Sequence, residues 1–93
     1  MEGRFKYKVP RGKLISVSVR YSKSIERVQL CGDFFMHPEE CVFEIEDALA
    51  GLPANSDEGL IAAAVRQCTE DNKVEMIGID PMAIAHAVKM AMQ

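Results

Sequence analysis

The stretch Leu14–Leu30, LISVSVRYSKSIERVQL, decides the fold. Ile15, Val17, Val19 and Tyr21 alternate with Ser16, Ser18 and Arg20, which is the period-two pattern of a strand with one wet face. The polar triplet Ser22, Lys23 and Ser24 turns the chain back, and the return stretch from Ile25 puts Val28 and Leu30 on the buried side. Upstream, Phe5, Tyr7 and Val9 alternate with Arg4, Lys6 and Lys8 until Pro10, Arg11 and Gly12 make a turn. Three successive strands joined by short turns predict a three-stranded antiparallel meander, open to water on one face.

The ten residues that follow, CGDFFMHPEE at 31–40, end the alternation. Beyond Asp33 the period is helical. Pro38 suits a first helical position and Glu39–Glu40 the positive end of a helix dipole, while Val42, Ile45, Leu49 and Leu52 recur at spacings of three and four. Gly51 and Pro53 stop that helix. A second helix is expected from Asn55 as cap with Glu58 at its third position, carrying Leu60, Ile61, Ala64, Val65 and Cys68 inward and ending in the polar run Thr69–Lys73. VEMIGI, residues 74–79, is too short to assign. Asp80–Pro81 then opens a third helix with Met82, Ile84, Ala85, Val88 and Met92 as its stripe. The expected class is α+β, with three helices packed on one face of the sheet.

At 93 residues and 48% hydrophobic content, residues 1–93 make one domain, able to bury somewhat more than about 60% of the surface its unfolded chain exposes. No apolar run reaches a membrane span and no secretory signal opens the chain, so the expectation is a soluble cytoplasmic protein with no membrane contact. Cys31, Cys41 and Cys68 are odd in number and lack C-x-x-C spacing, which fits free thiols in a reducing compartment. Charge is segregated. Residues 1–30 hold eight basic and two acidic side chains, a net +6, whereas residues 31–93 hold three and twelve, a net −9. Basic strands against acidic helices account for this; a basic sheet face awaiting an acidic partner or a phosphate is the sharper alternative. Nucleic acid is disfavoured, because no aromatic residues interleave with the basic ones on an RNA-binding strand and the whole chain is acidic.

Chemistry-bearing motifs are few. His37 and His86 have no third residue at zinc spacing, and neither a Walker loop, a dinucleotide fingerprint nor a nucleophile elbow is present. No catalytic, cofactor-binding or metal-ligating residue is assigned. Asp33 is the one carboxylate beside an apolar cluster, where it can accept backbone N–H bonds in the turn. Phe34 and Phe35 follow it, and an extended chain in a one-sided sheet cannot bury both rings. Met90 and Met92 are further candidates for a partner surface.

GKLISVSV at 12–19, IERVQLCGDFF at 25–35, IEDALAGL at 45–52 and GIDPMAIAHAV at 78–88 together resemble the C-terminal accessory domain of lipoate–protein ligase A. The sequence is particularly similar to the small separate subunit of archaeal ligases, lipoate–protein ligase B. The resemblance covers nearly the whole chain, and its most specific part is Gly32–Phe35 followed by the helix ending in Leu49, Ala50, Gly51 and Leu52. It implies a noncatalytic subunit in a heterodimer whose catalytic domain is a different polypeptide. That partner would bind lipoate, ATP and magnesium, form lipoyl-AMP, and pass the lipoyl group to an acceptor-domain lysine. The accessory chain would serve the adenylation half-reaction, which needs substrates held in line with water excluded. The interface expected under this resemblance comprises Gly32, Asp33, Phe34, Phe35, Met36 and His37, with Lys6, Lys8 and Arg20 from the open sheet face. The family fold is also similar to that of iron–sulfur cluster scaffold and sulfur-acceptor proteins, so an iron–sulfur scaffold is the alternative. Cys41 and Cys68 on helical apolar stripes fit core residues better than cluster ligands.

Overall fold

A computed structural model describes residues 1–93. The meander forms as the alternation predicts. Strands β1 (Glu2–Lys8), β2 (Leu14–Tyr21) and β3 (Ile25–Gly32) make one antiparallel sheet in that order. Its register sets Phe5 beside Val17 and Val17 beside Leu30 on the buried face, and Arg4 beside Ser18 and Ser18 beside Gln29 on the open face. A bulge at Arg20–Tyr21 shifts the last pairing of β2 with β3.

The helices differ from the sequence reading mainly at their ends. Helix α1 spans Cys41–Leu49 and does not start at Pro38. The reason lies just upstream: Phe35–His37 is a short strand, β4, paired antiparallel with β5 (Glu75–Ile77), so VEMIGI supplies a strand. Helix α2 spans Glu58–Asp71, ending within the polar run as expected, but its cap is Asp57, not Asn55. Asp57 sits in extended backbone and its Oδ1 accepts the Leu60 N–H at 2.8 Å, the geometry of a side-chain N-cap. Helix α3 (Pro81–Ala91) is capped as expected, Asp80 Oδ1 accepting from the Ala83 N–H at 2.7 Å.

Ile15, Val17, Val19, Val28 and Leu30 from the sheet meet Ile45, Leu49, Ile61, Val65, Ile84 and Val88 from the helices in one core. Helix α1 packs against β3, α3 packs against β1 and β2, and α2 lies against both helices. Leu60 and Met82, expected to face inward, are exposed. Both lie in the first turn of their helices, where Ile61 and Ala83–Ile84 already fill the inward direction. The end of α3 comes so near β1 that a Cβ at Gly3 would collide with the Ala91 carbonyl.

Candidate interaction surface

Two exposed features of the chain converge near the end of β3. The first is built on the turn from Gly32. Gly32 has φ +154°, and a Cβ there would strike the Leu14 carbonyl, so the backbone passes β2 at closest approach. Asp33 then ties the turn to β2 twice: its Oδ1 accepts the Leu14 N–H at 2.7 Å, and its own N–H donates to the Leu14 carbonyl at 3.2 Å. This is the turn-fixing use read from the sequence.

The turn sorts the two phenylalanines. Phe34 is half-buried against the core, whereas Phe35, the first residue of β4, is 66% exposed. Strand alternation carries Met36 inward to 6% exposure and turns His37 out again. Met36 therefore belongs to the core, a correction to its place among the expected contact residues. The ribbon also supplies a residue that the sequence reading missed: Ile77, directly opposite Phe35 in β5, is 55% exposed. An exposed aromatic–β-branched pair on one face of a two-stranded ribbon leaves its cross-strand contact half in water. Between Phe34, Phe35, Leu30 and Val42 lies a cleft of about 220 Å³.

The second feature is the open sheet face. Lys6, Lys8 and Arg20 are all exposed there, as expected, and Arg4 and Arg27 join them. Parity with Lys6 and with Gln29 marks both added arginines in the sequence. Only Arg20 has an acidic partner, Glu2, at 3.8 Å. Between Arg4, Arg27 and Glu46 runs a shallow depression of about 560 Å³, flanked by Phe43 of α1, which is 63% exposed. Phe43 lies off the Cys41–Ile45–Leu49 stripe, which is the signal that could have found it. Cys31 and Leu30 line both this depression and the ribbon cleft, so the apolar and basic features adjoin.

The remaining titratable groups are structural in setting. His86 Nδ1 lies 2.6 Å from Glu58 Oε1, and its ring packs 4.8 Å from Tyr7. Cys31 is exposed, while Cys41 and Cys68 are buried. Burial pushes the Cys68 thiol above its ordinary range, against the lowering effect of the Asn72 amide and with the Glu44 carboxylate, Cys41 and Asp71 adding to the rise. A thiol held protonated is a poor metal ligand. No three His, Cys, Asp or Glu side chains are grouped to hold a metal ion. No helix is long and apolar enough to cross a membrane.

A three-stranded sheet and three helices define a small α+β domain, with an exposed apolar ribbon beside basic strands. Among solved structures, the chain is similar to one from a structural analysis of an archaeal lipoylation system of Thermoplasma acidophilum, a bi-partite lipoate protein ligase and its E2 lipoyl domain. The TM-score is 0.69 at 26% identity, covering 95% of this chain and 92% of that chain. This likeness supports a lipoylation-related protein. No family model and no curated protein matches the sequence.

Proposed function

We propose that this chain is the noncatalytic accessory subunit of a two-chain lipoate–protein ligase, required with a separate catalytic subunit for ATP-dependent activation of lipoate to lipoyl-AMP. The observation that carries this reading is the likeness to the bi-partite system, which extends over nearly the full length of both chains. The exposed Phe35–Ile77 pair supports it, since an apolar pair beside a cleft suits docking on a second subunit. In this reading lipoate, ATP and magnesium are held by the catalytic subunit. The accessory chain contributes by ordering that subunit's substrate loops and excluding water while carboxylate and phosphate are held in line. Lipoyl-acceptor domains are then indirect partners.

The test is reconstitution with a catalytic lipoate–protein ligase subunit. Adding the chain should be required for pyrophosphate release and lipoyl-AMP formation, whereas transfer from preformed lipoyl-AMP to an acceptor domain should proceed without it. The chain alone should form no lipoyl-AMP and show no micromolar ATP binding by calorimetry. Full adenylation by the catalytic subunit alone, unchanged on adding the chain, would refute the assignment.

A further inference from the structure

The two edges of the sheet are treated differently. On β3 the outward-facing backbone is taken up from within the chain at two places: the Leu30 N–H donates to Glu46 Oε2 at 2.7 Å, and Ile25 exchanges bonds with Gly51 and Leu52. On β1 nothing does this. Met1 exchanges both backbone bonds with Tyr21, and the Val9 N–H donates to the Lys13 carbonyl, which fixes the register between them. In an antiparallel ladder the odd-numbered residues of β1 then bond to β2, and the N–H and C=O groups of Glu2, Arg4, Lys6 and Lys8 face outward. β1 has no second neighbour, so those groups form a free edge seven residues long.

Its two sides have opposite chemistry. On the open face Arg4, Lys6 and Lys8 stand in a row with one acid, Glu2, which pairs with Arg20. On the other side Phe5 and Tyr7 are only half-buried, their rings 6.3 Å apart, and Tyr7 opens onto a groove of about 400 Å³ that also includes Val9, Met82 and His86. That groove carries Glu58 and Asp80, which disfavour acidic groups on that side. A second copy of the chain is a poor occupant, because antiparallel pairing of β1 with itself sets like charges across from one another.

We propose that the free edge of β1 accepts an extended acidic segment of a partner protein as a fourth strand, its carboxylates opposite Arg4, Lys6 and Lys8 and its apolar side chains beside Phe5 and Tyr7. Main-chain bonds to the Arg4 and Lys6 positions supply attachment, and alternation of acidic with apolar residues supplies selectivity. The edge is a property of the sheet and does not depend on the lipoylation reading.

The probe is a short blocked peptide of alternating Glu and Val, with alternating Lys and Val as control, titrated into the isotopically labelled chain. On saturation with the acidic peptide, amide exchange at Arg4 and Lys6 should slow at least about tenfold, while Phe5 and Tyr7, already bonded to β2, should change little. Lys6→Pro removes an outward N–H together with one facing cation, on an edge strand that tolerates proline, and should weaken binding at least about tenfold, more than Lys6→Gln, which removes the cation and keeps the N–H. The paired substitution Arg4→Glu with Lys6→Glu keeps the backbone donors and should transfer preference to the Lys–Val peptide. Absence of binding at about 1 mM peptide would leave β1 as a charge-guarded edge and overturn the proposal. So would binding that leaves the Arg4 and Lys6 amides unprotected, or protection that appears without peptide in a concentration-dependent dimer.

Discussion

Phe34 and Phe35 are neighbours in sequence with opposite surroundings, and their alternation makes the residue-scale predictions separable. Phe35→Ala removes a ring that touches little of the chain itself, so folding stability should change by no more than about 0.5 kcal/mol. If the ring anchors the catalytic subunit, the same change should weaken association by more than about 2 kcal/mol, read as lost lipoyl-AMP formation at limiting subunit with transfer from preformed lipoyl-AMP retained. Met36→Ala should do the reverse, costing about 2–5 kcal/mol of stability, measured by urea denaturation, because Met36 is core. The sequence made the opposition of the rings legible, since period two forbids burying both. It did not reveal Ile77, because three residues of strand carry too little pattern to be separated from loop. Thiols give a second test. Cys31 should react with iodoacetamide in the native protein, whereas Cys41 and Cys68 should react only on unfolding. Because burial raises the Cys68 pKa, the unfolded chain gives up that proton first. The stability tied to it is whole below the ordinary thiol value of 9.0 and declines as pH rises above it. Denaturation between about pH 8 and about 10.5 should therefore show a falling trend that Cys68→Ala lessens.

At the scale of elements, the strands were readable and the helix starts only partly so. Alternation over seven or eight residues fixes both strand and face, and that is why β1, β2 and β3 emerge with their buried sides correctly placed. Helix starts depend on single side chains, and the linker ahead of α2 offered three: Asn55, Ser56 and Asp57. The capping-box spacing from Asn55 to Glu58 pointed to the first. In the structure Glu58 instead pairs with His86, Ser56 bonds the Pro53 carbonyl, and Asp57 takes the cap. The contest between Asn55 and Asp57 has a measurable outcome. Asp57→Ala should cost about 1 kcal/mol by chemical denaturation, and Asn55→Ala, which removes no cap, should fall within about 0.5 kcal/mol of the parent. A similar ambiguity hid the start of α1. Pro38 and the glutamates read as a first turn, but pairing of Phe35–His37 with Glu75–Ile77 holds the chain extended through His37. Pro38–Glu40 make a separate turn, the Cys41 N–H donating to the Pro38 carbonyl at 3.1 Å, before α1 begins at Cys41. Pairing between segments some forty residues apart leaves no local mark, so no periodicity argument could have placed it.

For the molecule as a whole, segregation of charge is the property most visible in the sequence and most open in its consequence. Of the eight basic side chains in residues 1–30, five (Arg4, Lys6, Lys8, Arg20 and Arg27) lie on strands and point to the sheet face away from the core, while Arg11, Lys13 and Lys23 lie in the turns. A partner meeting this face finds Arg4, Lys6, Lys8 and Arg27 without an acidic neighbour in ion-pair contact. Such charges at the rim of an interface act mainly by steering encounter, over a reach of about 10 Å at 0.1 M salt. Apolar anchors act on residence, because they must leave a packed, dry contact before the complex parts. The two features should thus separate in kinetics. In association measurements with the proposed catalytic subunit, Lys6→Glu should slow the on-rate at low salt and converge on the parent as ionic strength rises, with the off-rate nearly unchanged. Phe35→Ala should raise the off-rate at every salt concentration. A Lys6→Glu defect that persists undiminished at about 0.5 M salt would mean that the side chain is buried in the contact, and that the open sheet face is the interface itself rather than its approach.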